Sequence, residues 1–274
     1  MKRTVKSYKE EIIQKYKAGI SCNQIAKDYK CSGANILKIL REAGIERRAS
    51  SYHLQKYDIN KNYFAKIDSE EKAYFLGFIY ADGCNYTKRN NVCITQKIGE
   101  IEFMSRLNAL IQPDKPLLYI SRKTEKLPRK NSEDRCGISI INSTISQDLL
   151  KLGVVSNKSL VLTFPTLDQV PEHFLNHFIR GYFDGDGCIC IYKSGIAFTM
   201  VGTEMFLSVC QNHLCSILGI SKTKLAIPPR AKEFKTSTRV LSYGGLKNML
   251  KIREFLYKDA TIYLQRKYDK FSLI

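Results

Sequence analysis

Apolar and polar residues repeat with two different periods along the chain, and the changes of period mark the expected elements. Near the N-terminus, residues 8–17 have the period of a helix, and Ser21 and Ser32 each precede a further short helical segment, as N-cap residues do. Gly44 follows the third helical segment, and glycine commonly ends a helix. The N-terminal pattern therefore predicts three short helices.

The remainder of the chain contains one pattern twice. In each copy a helix is followed by two strands, a second helix, two more strands and a further helix. The first copy begins with AYFLGFIYADGCNY (residues 73–86), and the second begins with HFIRGYFDGDGCICIY (residues 177–192). This duplication predicts an α+β fold with two antiparallel four-stranded sheets, each backed by helices.

Small residues recur four positions apart in the helix that opens each copy. They are Gly77 and Ala81 in the first copy, and Gly181 and Gly185 in the second. Residues at this spacing lie on one face of a helix, and small side chains there allow two helix backbones to approach closely. We therefore expect the two helices to pack against each other and to join the two halves.

Each of these helices is expected to end at an acid, Asp82 or Asp186, with a glycine next. If the helices pack together, the two acids lie side by side at one edge of the core. They then repel each other at the negative ends of two helix dipoles, which costs stability unless a cation is present. An Asp-Gly pair is often only a turn. Its repetition at equivalent points favours a site for a divalent cation such as Mg2+.

The chain is strongly basic, since 44 Lys and Arg against 26 Asp and Glu give a formal charge of +18. This excess favours nucleic acid as the partner, with an anionic membrane surface second. No apolar run is long enough to span a bilayer, and residues 1–11 lack the apolar core of a signal peptide, so we expect a cytoplasmic protein associated with DNA. Nine cysteines without a CxxC pair favour reduced thiols over a zinc site.

Residues 1–44 are expected to form a small DNA-binding domain. Its core is expected to consist of Ile25, Ala26, Ile36, Ile39 and Leu40. Asn35, Lys38 and Arg41 would project from the third helix. The segment resembles the helix-turn-helix units of resolvases and repressors, which implies that the third helix enters the major groove. Lys30 occupies the turn position where helix-turn-helix units usually have glycine. The alternative to a DNA-binding domain is a small helical cap with basic side chains on its surface.

Residues 45–66 are polar, basic and weakly patterned, which predicts a linker that lies along DNA phosphates. Residues 1–66 together contain 15 basic and 6 acidic side chains, so this part of the chain has the denser positive charge. The expected division is a helix-turn-helix domain at 1–44, a linker at 45–66, a first half at 67–160 and a second half at 161–274.

The segments FLGFIYADG and IRGYFDGDG resemble the two LAGLIDADG motifs of single-chain homing endonucleases, and the likeness covers roughly residues 57–272. The resemblance implies a pseudo-twofold pair of αββαββα halves whose sheets form a saddle in the major groove of DNA. It also implies that Asp82 and Asp186 bind the catalytic metal, which is Mg2+ with Mn2+ as a substitute. The earlier acid of the motif is Asp184 in the second copy, whereas the first copy has Tyr80 there.

Three further catalytic residues follow from the same resemblance. Gln96, in ITQK, is the candidate for positioning a water, and FTMVGT in the second half has no clear counterpart. Lys158 and Lys267 are the candidates for stabilising charge in the transition state. For each lysine, a solvated surface charge or a phosphate contact is the alternative.

The resemblance implies a monomeric, site-specific endonuclease that hydrolyses both strands of a long asymmetric double-stranded DNA target. The alternatives are a non-cleaving DNA-binding regulator or an RNA maturase with the same fold, and, third, a basic structural protein of the nucleoid or ribosome. The loop at 121–135 is expected to bind phosphates. The candidate DNA-binding residues are Asn35, Lys38, Arg41, Arg47, Arg48, Lys88, Arg89, Arg122, Lys123, Arg129, Lys130, Lys193, Arg230, Lys232 and Arg239.

Overall fold

The computed structural model describes residues 5–18, 20–47, 57–121, 133–192 and 195–273. The chain divides into two compact units, residues 1–58 and residues 59–274. Each unit has its own cluster of buried apolar side chains. Within the described ranges, no helix is both long and apolar enough to cross a lipid bilayer.

Three short helices form most of the N-terminal unit. They are α1 (Lys9–Lys17), α2 (Cys22–Asp28) and α3 (Gly33–Glu42). The apolar core predicted from the sequence is confirmed, and α1 adds two residues to it. The buried side chains are Ile12, Tyr16, Ile25, Ala26, Ile36, Ile39 and Leu40.

The two predicted helix caps of this unit are also confirmed. The Ser21 hydroxyl accepts a hydrogen bond from the Gln24 backbone N–H at 3.2 Å, and the Ser32 hydroxyl accepts one from the Asn35 N–H at 3.3 Å. Lys30, between α2 and α3, has φ +49°, a left-handed conformation that usually favours glycine. The tight turn therefore forms in spite of the lysine.

The first half of the second unit contains one antiparallel four-stranded sheet, in the order β1-β2-β4-β3. Helices α4, α5 and α6 pack on one face of this sheet. The elements are α4 (Glu70–Asp82), β1 (Gly83–Tyr86), β2 (Asn91–Lys97), α5 (Ile101–Ala109), β3 (Leu118–Ile120), β4 (Arg135–Ile141) and α6 (Ser143–Lys151).

The second half repeats this order with a smaller sheet. The described residues form three antiparallel strands, β5-β6-β7, where four were predicted. The missing strand is reduced to a single bridge between Ala226 and Val240, because Pro228 and Pro229 follow and have no N–H to continue the ladder. The elements are α7 (Leu175–Asp186), β5 (Gly187–Tyr192), β6 (Gly195–Thr203), α8 (Glu204–Leu218), α9 (Pro229–Glu233), β7 (Thr238–Gly244), α10 (Leu246–Tyr257) and α11 (Gln265–Ser272).

One boundary differs from that expected from the sequence. The predicted linker 45–66 overlaps the second unit, which begins at residue 59 and buries Tyr63 and Phe64 in its core with ring centroids 4.9 Å apart. These two aromatic residues bury enough apolar surface to override the polar composition around them.

Helices α4 and α7 pack against each other through their backbones, as the spacing of small residues predicts. A Cβ atom added at Gly77 would lie 2.0 Å from the Phe178 carbonyl oxygen. A Cβ atom added at Gly181 would lie 2.0 Å from the Tyr74 carbonyl oxygen. Neither helix can carry a larger residue at these points without moving. This contact lies at the centre of the apolar core that both halves share.

We predict that Gly77→Ala or Gly181→Ala lowers the free energy of unfolding by about 3 kcal/mol or more, because the methyl group must separate the two helices. Chemical denaturation of each purified variant measures this loss. Gly99→Ala is the matched control, since no neighbouring atom lies within 4 Å of its added Cβ. A loss of less than about 1 kcal/mol at both contact glycines would contradict the described packing.

Candidate functional site

Asp82 and Asp186 are the last residues of α4 and α7, and β1 and β5 begin at the next residue. The ends of the two helices touch. A Cβ atom added at Gly185 would lie 2.2 Å from the Ala81 Cβ and 3.1 Å from Asp82 Oδ2. The packing of α4 on α7 therefore brings the two acids together at one edge of the core, as the sequence predicts.

The two carboxylates reach solvent, but packed protein surrounds them on their other sides. This partial dehydration, together with the charge of Asp82, raises the pKa of Asp186 to about 6. Dehydration also raises the pKa of Asp82, although a hydrogen bond from Gln96 opposes the rise. Both acids therefore hold their negative charge against an unfavourable environment, and a bound cation would relieve that cost.

Gln96 lies on β2, and its Nε2 donates a hydrogen bond to Asp82 Oδ2 at 2.6 Å. Strand pairing identifies the equivalent position in the second half. Gly83 pairs with Ile94 and Gly187 pairs with Met200, so the residue that corresponds to Gln96 is Gly202.

Position 202 therefore has no side chain to offer Asp186. An added Cβ there would lie 2.7 Å from the Tyr182 hydroxyl. No side chain among the described residues donates a hydrogen bond to the Asp186 carboxylate, and the site is asymmetric. The sequence pattern did not identify the counterpart of Gln96 in the second half, because periodicity does not show which residues of neighbouring strands pair with each other.

Lys158 and Lys267 are both buried, so a solvated surface charge is the wrong interpretation of either residue. Lys158 Nζ donates to the carbonyl oxygen of Ala81 at 2.9 Å. Lys267 Nζ donates to the carbonyl oxygens of Phe183 and Gly187 at 2.7 and 2.6 Å. Each ammonium group thus neutralises the negative end of one motif helix. Burial lowers the pKa of Lys158, and it lowers that of Lys267 to about 8.

The earlier acid of the second motif, Asp184, is fully buried and belongs to the core. It accepts hydrogen bonds from the Tyr74 hydroxyl and the Leu264 N–H, both at 2.7 Å. In the first motif the hydroxyl of the equivalent Tyr80 donates to the Leu152 carbonyl. Both side chains therefore tie a motif helix to a later segment of its own half.

A buried ion pair near the other end of these helices was not anticipated from the sequence. Arg180 has no exposed surface, and its guanidinium donates to Glu70 Oε1 at 2.6 Å and to the carbonyls of Leu256 and Ile262. Glu70 also accepts from the Thr261 N–H at 2.8 Å. The sequence feature that could have indicated this pair is Arg180 itself, a charged residue within an apolar helical run. The pair orders the segment that leads to α11 and Lys267.

Most of the described candidates for DNA contact are exposed. The exposed candidates on α3 are Asn35, Lys38 and Arg41, and Arg47 is exposed after that helix. Lys88 and Arg89 are exposed between β1 and β2, and Arg230 and Lys232 are exposed on α9. Arg239 differs, because its guanidinium binds Glu204 Oε2 at 2.6 Å and the Thr236 and Thr238 carbonyls. The remaining candidates lie outside the described residues: Arg48, Arg122, Lys123, Arg129, Lys130 and Lys193.

The donor set at the helix ends suits a hard divalent cation that shares its coordination with other groups. The described residues contain no cluster of three or more His, Cys, Asp or Glu side chains that would enclose a metal by themselves. Mg2+ commonly binds one or two carboxylates together with water and phosphate oxygens. The two acids therefore fit Mg2+ better than a metal held entirely by protein.

The fold and site define a duplicated α+β protein whose halves are joined by two helices that end in carboxylates. No family model matches the chain, and no curated protein matches its sequence. One similar solved structure is the homing endonuclease I-WcaI bound to its DNA recognition sequence. It is 13% identical, the alignment covers 84% of this chain and 96% of that chain, and the TM-score is 0.52.

Two other solved structures are similar at lower TM-scores. The N-terminal LAGLIDADG domain of DUF199/WhiA is 16% identical, with 82% of this chain and 98% of that chain covered and a TM-score of 0.45. The LAGLIDADG meganuclease I-AabMI bound to uncleaved DNA is 12% identical, with 73% and 88% covered and a TM-score of 0.44. The likeness to I-WcaI shows that this chain has the LAGLIDADG fold, which confirms the predicted fold class.

We predict that Asp186→Asn raises Tm by about 1–3 °C at pH 8 without divalent cations, because it removes repulsion with Asp82 and with the helix dipole. Differential scanning calorimetry measures the shift. Asp168→Asn, at an exposed carboxylate before α7, is the control and should leave Tm unchanged. A lower Tm in Asp186→Asn would mean that this charge stabilises the metal-free protein.

Proposed function

We propose that this chain is a monomeric, metal-dependent endonuclease that cuts both strands of a long, specific double-stranded DNA target. The observation that carries the proposal is the pair of adjacent carboxylates, Asp82 and Asp186, at the ends of two helices in backbone contact. Two ionised groups in this arrangement add nothing to the stability of the helix ends. They do suit a reaction in which cations and a phosphodiester come together at one place.

Asp82 and Asp186 would hold Mg2+, with Mn2+ as a substitute, and divalent cations there would stabilise charge on the attacking and leaving oxygens. Gln96 orients the Asp82 carboxylate through its hydrogen bond, and we assign to the same amide the positioning of the attacking water. Lys158 and Lys267 keep positive charge close behind the two acids. That charge favours negative charge developing on the phosphate.

DNA would bind across the sheet faces that the helices leave uncovered, with the N-terminal unit extending the contact. The formal charge of +18 supports a polyanionic partner, and so does the exposure of Lys88, Arg89, Arg230 and Lys232. I-WcaI, which has this fold, is described in complex with its DNA recognition sequence. We assign α3 to the major groove because Asn35, Lys38 and Arg41 share its exposed side.

A second candidate is a protein of this fold that binds nucleic acid without cutting it, such as a DNA-binding regulator or an RNA maturase. The observation in its favour is Gly202, which leaves Asp186 without the polar partner that Gln96 gives Asp82. The two adjacent acids support cleavage more strongly, because their mutual repulsion lowers stability and their negative charge does not help a binding protein to hold DNA.

We predict that Asp82→Asn or Asp186→Asn reduces cleavage by at least about 100-fold while DNA binding survives. The assay incubates the protein with Mg2+ and a library of random DNA duplexes, and sequencing detects new ends on each strand. Binding is followed separately by electrophoretic mobility shift on any enriched duplex.

Asp168→Asn is the matched control for this assay and should cut like the wild type, because Asp168 is exposed and is not among the charged groups that shift the pKa of Asp82 or Asp186. Cutting at the wild-type rate by either site variant would refute the site assignment. Duplexes that the wild type binds without producing ends would favour the second candidate function.

We predict that the double variant Lys38→Ala, Arg41→Ala binds the target about 3- to 10-fold more weakly at physiological salt, with a smaller salt dependence. The slope of log affinity against log salt should fall by about 1 per lost phosphate contact. Titrations use an Asp186→Asn background so that the DNA stays intact. Lys17→Ala, at the end of α1, is the control, and an unchanged slope in the double variant would exclude α3 from the interface.

A further inference from the structure

Each sheet of the second unit has one face covered by helices and one open face. In β2, Val92 and Ile94 are buried beneath helices, whereas Cys93 and Thr95 lie on the other side. The central strand β6 alternates in the same way. The open face of the first sheet consists of the residues on the same side as Cys93 and Thr95. The open face of the second sheet consists of the equivalent residues.

Strand pairing aligns the two open faces residue by residue. Ile94 of β2 and Met200 of β6 are equivalent, since they pair with the glycines that follow the two motif acids. In the next strands, Ile138 pairs with Ile94 and Leu241 pairs with Met200, so β4 and β7 are also in a known register. Equivalent positions can therefore be compared directly.

The first open face carries an amide and two basic groups at positions where the second has alanine or threonine. Asn91, Thr95, Lys97 and Arg135 correspond to Ala197, Val201, Thr203 and Thr238. The described strands of the second sheet contain one charged residue, Arg239. It lies on the side of Leu241 and binds Glu204, so it does not reach the open face.

The groups on the first open face can exchange their present partners for DNA. Lys97 pairs with Glu133 at 3.3 Å, but both side chains are well exposed, and such pairs are weak. Arg135 is exposed and, among the described residues, donates one 3.3 Å hydrogen bond to the Thr95 carbonyl. Thr203 is different, because it is buried as the N-cap of α8 and offers nothing to a ligand.

We infer that the two halves of the DNA target are recognised by different chemistry, an inference that rests on the proposed DNA-binding function. The first sheet reads its half-site through hydrogen bonds from Asn91, Lys97 and Arg135 to purine edges. The second sheet reads its half-site mainly through contacts between small apolar groups, such as those of Ala197 and Val201, and thymine methyl groups.

This division follows from what the groove presents. Arginine and lysine bind the O6 and N7 atoms of guanine, asparagine binds adenine, and apolar groups contact the C5 methyl group of thymine. Thr199, Ser242 and Tyr192 add hydroxyl groups to the second face, and Cys188 and Cys190 add thiols, without adding charge. The expected target is therefore richer in guanine in the first half-site and richer in A·T pairs in the second.

The test selects bound duplexes from a random library with full-length Asp186→Asn protein, so that binding is measured without cleavage. Arg135→Ala in the same background identifies the first half-site, because base preference should relax there alone. Each conserved thymine is then replaced by uracil, which removes only the methyl group. We expect affinity to fall about 2- to 4-fold per contacted base in the second half-site and to stay unchanged in the first.

A gain of specificity provides the complementary measurement. Thr238→Arg places an arginine where the first sheet has Arg135, and it should add a guanine preference in the second half-site only. Lys247→Ala on α10 is the control, because α10 packs on the helical side of the sheet and its loss of charge should alter neither preference.

The outcomes separate this inference from the function on which it rests. Equal guanine content in the two half-sites, or uracil replacement without effect in the second, overturns the inference while DNA recognition stands. If no duplex is enriched from the library, both the proposed DNA-binding function and the inference fail.

Discussion

The backbone contact between α4 and α7 is the constraint on which the rest of the second unit depends. Gly77 and Gly181 each face a carbonyl oxygen of the other helix so closely that no side chain fits between them. The shared apolar core is continuous across this contact. Because both helices end at the same edge of the core, the contact that joins the halves also brings Asp82 and Asp186 together.

Bringing two acids to the negative ends of two helices is unfavourable, and the surrounding structure counters it with buried positive charge. Lys158 and Lys267 reach the terminal carbonyls of α4 and α7 from distant parts of the chain. Further back, Arg180 and Glu70 form a buried pair that fixes the path of the chain towards Lys267. Buried ion pairs seldom add net stability, so their value here lies in fixing one arrangement of the helix ends.

The scaffold is duplicated, but its chemistry is not. Gln96 binds Asp82, whereas the equivalent Gly202 leaves Asp186 without such a partner. Asp184 and Tyr80 occupy the same motif position and tie their helices in place as an acceptor and a donor, respectively. A protein with two unlike halves in one chain can treat two unlike halves of a partner differently, which a symmetric dimer cannot do.

The sequence by itself determined the features that depend on local spacing: the caps at Ser21 and Ser32, the duplicated order of elements, and the placement of Asp82 and Asp186 at helix ends. The small residues spaced four apart also predicted the packing of α4 on α7. The other contacts between distant residues could not be determined from the sequence. The positions of Lys158 and Lys267 and the pairing of Arg180 with Glu70 depend on how distant parts of the chain pack. The equivalence of Gln96 with Gly202 depends on strand register. Periodicity reports which face of an element is apolar, whereas only the tertiary structure decides what that face meets.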